Sequence, residues 1–317
     1  MAFDKLLGNR RIKENLEHAL ARGHIAHFYL ISGPKGSGKH TLARLLAAGI
    51  LCQGQKKPCG VCNACRKALT NTHPDLITVD DPDKKHVPID LIRQATADMY
   101  VRPNEASHKI YLFPRGQDMG IPTQNALLKI LEEPPSYGVY IILTQSSDVL
   151  LPTVRSRCTE LTMSALPREV LKNALRGQFP QATDQQIAGA IARSGGYLGQ
   201  AQEILQEAEG ATQNTEDFLR AYAARDAFAL LKVLCPMEKW KRDALIGELE
   251  QWLLVLTDAL TARSGMTAVL PLADLVASSR SRKDLMGAID ALRKTITYAR
   301  GNVSPAAISG YLQWALR

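Results

Sequence analysis

The 317-residue chain is 45% hydrophobic and 22% charged, a globular composition long enough for two or three domains with a real core. No apolar stretch approaches a membrane span, and Met1-Ala2-Phe3-Asp4-Lys5 lacks the apolar core of a signal peptide, so a cytoplasmic location without membrane contact is expected. The formal charge of +8 is uneven, with 21 Lys/Arg against 15 Asp/Glu over residues 1–163 and 18 against 16 thereafter. Any electrostatic footprint for nucleic acid therefore falls on the first part, although the lack of a dense Lys/Arg run fits a plain solvated surface equally well.

Helical periodicity over Arg10 to Arg22 leads to an apolar strand, His27-Phe28-Tyr29-Leu30-Ile31. The next residues are Ser32-Gly33-Pro34-Lys35-Gly36-Ser37-Gly38-Lys39-His40-Thr41, and a helix pattern starts at Thr41-Leu42-Ala43-Arg44. Strand, glycine-rich loop and helix together are the context of a phosphate-binding loop, which favours that reading over an ordinary turn. Glycines at 33, 36 and 38 let backbone N–H groups turn inward as an anion nest, with Lys39 reaching the terminal phosphates. The candidate nucleotide-binding set is Gly33, Pro34, Gly36, Ser37, Gly38, Lys39, His40 and Thr41. An active site needs a Ser or Thr directly after the lysine to ligate Mg²⁺, and His40 stands there instead. A histidine nitrogen suits a hard, oxygen-seeking cation poorly, and Thr41 lies about 100° further around the helix. Binding of ATP or ADP is expected, and hydrolysis is already in doubt.

Four of the six cysteines then cluster as Cys52, Cys59, Cys62 and Cys65, a C-x6-C-x2-C-x2-C spacing. Four thiolates within fourteen residues predict a closed, structural Zn²⁺ site. Disulfides fit a chain without a signal peptide poorly, and an iron–sulfur cluster needs the same thiolates, but nothing nearby suggests redox chemistry. Cys158 and Cys235 are expected to be buried small side chains.

Strand-like runs follow at 75–79, 109–113 and 139–144, with helices between them at 88–100 and 120–133. Short buried strands alternating with helices predict an open parallel sheet covered on both faces, an α/β P-loop domain over residues 1–163 with the cysteine segment inserted at about 52–65. Helices at 166–179, 184–193 and 198–209 predict a small helical domain over 164–210, and the polar Gly210-Ala211-Thr212-Gln213-Asn214-Thr215 is the linker candidate. Residues 211–317 read as all-helical, with Trp240, Trp252 and Trp314 at amphipathic positions suited to a bundle core or a subunit interface.

P-loop ATPases place an acidic pair at the end of a neighbouring strand, one carboxylate for Mg²⁺ and one for the attacking water. Here the strand at 109–113 ends in Pro114-Arg115, with the nearest acid, Asp118, in the following loop. Two defects thus strike the same metal. Arg157, in Leu150-Leu151-Pro152-Thr153-Val154-Arg155-Ser156-Arg157-Cys158, lies just beyond the sheet; by itself it reads as a surface salt-bridge arginine.

The P-loop, the four-cysteine insertion, His73-Pro74-Asp75, Gln124-Asn125-Ala126-Leu127-Leu128-Lys129, Leu131-Glu132-Glu133-Pro134-Pro135 and Ser156-Arg157-Cys158 occur together over roughly residues 8–165. In that order they resemble the clamp-loader subunits of bacterial DNA polymerase III, most nearly the delta-prime branch, with gamma/tau as the rival. Gamma/tau would carry Ser or Thr at position 40 and an Asp-Glu pair at 114–115. It would also carry a sensor arginine where Gly199 stands. The resemblance implies an AAA+ module, that is, a RecA-like domain with a helical lid (164–210), followed by a helical collar (211–317) in a hetero-oligomeric ring with gamma/tau and delta. It further implies a largely non-hydrolysing stator within the polymerase holoenzyme, action on the sliding clamp and primer-template DNA, and Arg157 as an arginine finger reaching a neighbour's ATP. The competing expectations are an active gamma/tau-like ATPase using Thr41 and a stand-alone zinc-dependent DNA-binding protein.

Overall fold

The computed structural model describes residues 2–209, 212–270, 272–301 and 303–316, with only the backbone of residues 2 and 207–209. The chain forms two compact units, Met1–Val170 with Tyr197–Gly199, and Leu171–Gly196 with Gln200–Arg317.

The first unit runs α1 (Arg10–Arg22), β1 (Phe28–Ser32), α2 (Lys39–Leu51), α3 (Asn63–Leu69), β2 (Leu76–Thr78), α4 (Ile89–Asp98), β3 (Lys109–Phe113), α5 (Ile121–Glu132), β4 (Gly138–Thr144), α6 (Pro152–Arg155) and β5 (Thr159–Thr162). The five strands pair in parallel in the order β2-β3-β4-β1-β5, so β4 is central and β1 lies between β4 and the edge strand β5, with Leu30 set against Ile142 and Glu160. Successive side chains along a strand face opposite ways. Tyr29, Ile31, Ile110, Leu112, Ile141 and Leu143 pack with Leu42, Leu45 and Leu46 of α2. Phe28, Leu30, Tyr111, Phe113, Tyr140 and Ile142 pack on the other face with Ile92 of α4 and Leu127 and Ile130 of α5. Burial on both faces explains why β1, β3 and β4 read as continuous apolar runs. This is the expected parallel sheet covered on both faces, and the P-loop follows the carboxyl end of β1.

One strand, β5, is absent from the sequence reading. Three of its four residues, Thr159, Glu160 and Thr162, are exposed and only Leu161 is buried, so this edge strand lacks the apolar run that marks the others.

The second unit contains α7 (Arg168–Gln178), α8 (Asp184–Arg193), α9 (Leu198–Glu209), α10 (Gln213–Ala224), α11 (Ala227–Met237), α12 (Arg242–Arg263), α13 (Ala273–Ser279), α14 (Arg282–Arg300) and α15 (Pro305–Ala315), apart from residues 168–170 and 198–199, which group with the first. Trp252 is fully buried and stacks on Phe218, with ring centroids 3.8 Å apart and planes within 4°. Trp240 packs at the edge of that core, whereas Trp314 is 71% exposed beside Tyr311.

The linker expectation at 210–215 is corrected. Residues 210 and 211 lie outside the described residues, but Thr212 caps α10 and Thr215 lies buried inside it. Both hydroxyls donate to the buried Glu248 carboxylate, at 2.8 and 2.6 Å, and the Trp252 indole donates to it at 3.1 Å. The stretch is polar because it satisfies a buried acid, not because it is a tether. A second buried carboxylate, Asp258, pairs with Arg193 at 2.7 Å and accepts the Val269 and Leu270 amides, which fastens α8 to α12.

Candidate nucleotide and metal sites

The loop joining β1 to α2 uses glycine where the backbone demands it. Gly36 and Gly38 take φ of 75° and 92°, a region that side chains resist, and Gly38 is the N-cap of α2 with no side-chain cap. The Gly33 amide donates to Thr144 at the end of β4, tying the loop to the sheet. Lys39 is buried to 9% exposure, and its ammonium donates to the Gly33 and Pro34 carbonyls at 2.6 and 2.8 Å. Burial holds its pKa below the ordinary lysine value. The Ser37 hydroxyl is buried without a hydrogen-bond partner. The loop thus sets a helix N-terminus without a side-chain cap beside a desolvated ammonium, a chemistry suited to an anion.

His40 and Thr41 both project from the first turn of α2 into exposed positions. Desolvation against the protein, then the charges of Lys39 and Arg44, hold the His40 imidazole below its usual pKa. At the end of β3, Arg115 is committed to neighbours: Nε donates to Asp80 at 2.7 Å, and the terminal nitrogens donate to the Asp81 and Lys84 carbonyls at 2.7 and 2.9 Å. Sequence reasoning found the arginine but missed this clasp, because its partners lie about thirty residues away in the loop after β2.

Gly199 lies against the P-loop. Its amide donates to the Gly36 carbonyl at 2.9 Å, and a Cβ placed on it would come within 2.6 Å of the Gly36 Cα. No side chain of any kind fits there without moving the loop.

Arg157 follows the short α6 and is 39% exposed. One guanidinium nitrogen donates to the Thr153 carbonyl at 3.0 Å and the other sits 3.3 Å from Glu132 of α5. The segment is anchored by Gln124, whose buried amide donates to the Met119 and Val149 carbonyls and accepts the Leu151 amide at 2.7 Å. Gln124 entered the sequence reading only as part of a signature, and its three-way bonding gives it a physical role. Likewise Asp75 is fully buried and accepts the Asn104, Glu105 and Ala106 amides at 2.6, 2.8 and 2.9 Å, fixing the loop that leads into β3.

The four cysteines converge. Their sulfurs all lie within 4.8 Å of one another, with Cys52–Cys62 at 4.0 Å and Cys59–Cys65 at 3.9 Å. Sulfurs about 2.3 Å from a tetrahedral Zn²⁺ stand about 3.8 Å apart, so the donor set fits that ion. The amides of Gly54 and Cys59 donate to the Cys52 sulfur, that of Cys62 to Cys59, and that of Cys65 to Cys62, at 3.3–3.4 Å. Such donors favour thiolates: the Cys62 amide leads in pulling Cys59 down to about 6, while burial pushes Cys65 up. A bound Zn²⁺ would brace the insertion between α2 and α3; with all four positions taken by sulfur it would offer no site for chemistry. Cys158 is half-buried, its thiol pushed up to about 12 by desolvation. Cys235 is exposed, contrary to the expectation that it is buried.

These features coincide with a family. The profile described as DNA polymerase III, delta subunit, matches residues 8–167, and the chain belongs to that family of polymerase III subunits. The delta' subunit of Pseudomonas aeruginosa is 33% identical over 174 residues, 53% of each chain. The gamma/tau subunit of Mycobacterium tuberculosis is 30% identical over 200 residues, 62% of this chain and 35% of its own. The chain thus spans about half the length of the first relative and a third of the second. Among solved structures, a gamma subunit-related protein of Thermotoga maritima aligns over 96% of this chain and 99% of its own with a TM-score of 0.44 and 17% identity. No helix among the described residues is long and apolar enough to cross a membrane.

Proposed function

We propose that the chain is a delta-prime-like subunit of a DNA polymerase III clamp loader, a non-hydrolysing member of a ring with gamma/tau and delta that loads the sliding clamp on primed DNA. The carrying observation is that the P-loop keeps its glycines and Lys39 while three positions that would serve Mg²⁺ or sense the nucleotide differ: His40 follows Lys39, Arg115 is clasped to Asp80, and Gly199 is packed on Gly36. In this reading nucleotide is held passively. The catalytic contribution is Arg157, exposed on an anchored segment and bonded weakly enough to Glu132 to exchange that partner for a neighbour's triphosphate. The zinc site is structural, and residues 164–210 and 211–317 serve as lid and collar.

The test is ATP turnover by a reconstituted assembly of this chain with gamma/tau, delta, clamp and primed DNA. Arg157→Ala is expected to lower turnover by about tenfold or more, because a trans arginine stabilises charge that develops only in the transition state. Undiminished turnover would remove the finger role. A fold defect is separable by circular dichroism of the same variant.

A further inference from the structure

The fold family implies Mg²⁺ beside the nucleotide, and the residues of this chain do not fit it. A magnesium ion needs near-octahedral oxygen ligands, usually one or two from carboxylates or hydroxyls. The helix position next to Lys39 offers an imidazole. Three carboxylates around Arg115 are each engaged: Asp80 with Arg115 at 2.7 Å, Asp81 with Lys84 at 3.5 Å, and Asp118 with the Gln117 amide at 3.2 Å and Arg115 at 3.7 Å. To reach Asp80 the ion would have to displace a guanidinium from a half-buried pair carrying two further hydrogen bonds, and would meet Arg115 as a like charge. The phosphate side is intact, with a glycine-shaped loop, an α2 N-terminus lacking a side-chain cap, and the desolvated Lys39.

We propose that this P-loop takes the phosphate chain of ADP or ATP as the metal-free anion, with Lys39 as counter-charge and the Asp80 carboxylate held by Arg115 instead of serving Mg²⁺. The proposal deepens the non-hydrolysing reading of the same site and rests on it. An ordinary P-loop loses affinity when magnesium is chelated, because the ion neutralises the phosphates and bridges them to protein. Here chelation removes nothing the protein uses, and it spares Arg115 a nearby dication.

Isothermal titration of the full chain with ADP, once in Mg²⁺ and once in excess EDTA, decides it. The expected dissociation constant in EDTA is equal to or tighter than that in Mg²⁺, or weaker by no more than about threefold. Lys39→Ala is expected to weaken binding by about tenfold or more in both buffers, placing the ligand in this loop. Arg115→Gln, which releases the Asp80 carboxylate, is expected to make binding respond to magnesium. Binding about tenfold tighter in Mg²⁺ than in EDTA for the wild-type chain, no binding in either buffer, or binding indifferent to Lys39→Ala would each overturn the proposal. Failure of the non-hydrolysing reading would appear elsewhere, as turnover of ATP by the isolated chain, so the two are told apart.

Discussion

Gly199→Ala is the substitution whose effect the structure fixes most sharply. Gly199 lies in the first turn of α9, where alanine's better helix propensity alone would add up to about 1 kcal/mol of stability. The added Cβ, however, would stand 2.6, 3.0 and 3.2 Å from the Cα, O and C atoms of Gly36. Those are backbone atoms of a loop tied to the sheet through the Gly33 amide, so they yield only if the loop shifts and the Gly199–Gly36 hydrogen bond lengthens. Overpacking costs about 1–3 kcal/mol, and close contact with three backbone atoms puts this case in the upper part of that range, about 2–3 kcal/mol, which leaves a net loss of about 1–2 kcal/mol. For units of this size that lowers the thermal midpoint by about 2–8 °C. Gly247→Ala in α12 and Gly287→Ala in α14 are the controls, since a Cβ at either meets nothing within 4 Å. They are expected to gain about 0.5–1 kcal/mol. Thermal melts by far-ultraviolet circular dichroism read all three. A Gly199→Ala chain as stable as wild type would refute the close approach, and with it the argument that no sensor side chain fits this position.

Metal analysis is expected to find one Zn²⁺ per chain, lost from a Cys62→Ser, Cys65→Ser double variant with a lowered melting temperature; a metal-free chain of unchanged stability would contradict the site. Burial alone would raise the Asp75 pKa, but the Asn104, Glu105 and Ala106 amides outweigh it and hold the carboxyl below its ordinary value. Its contribution is therefore complete above the unfolded carboxylate range and is lost as pH falls through the lower folded value. Asp75→Asn should cost about 1–3 kcal/mol at neutral pH by leaving amide donors unsatisfied. The gap from wild type in denaturant titrations should narrow toward acid, and a constant gap from pH 7 to below about pH 4 would contradict the assignment.

Features written in contiguous residues were legible before any coordinates. The P-loop and the cysteine cluster are short-range patterns whose geometry follows from their own spacing, and β1, β3 and β4 announce themselves because both faces are buried. What escaped depends on distant partners. The polar run at 212–215 looks like a linker until Glu248 is placed over it, and β5 looks like a loop until β1 lies beside it. Arg115 reads as a lost carboxylate, and only the Asp80 loop turns it into a clasp. Gly199 reads as a missing arginine until Gly36, far away in sequence, shows why no side chain stands there.

The central claim is that this chain keeps a phosphate cradle without the means to hydrolyse what it holds. Steady-state ATP turnover by the isolated chain in the presence of Mg²⁺ tests it most directly. No turnover above background is the result predicted here; turnover that disappears in the Lys39→Ala variant would contradict it.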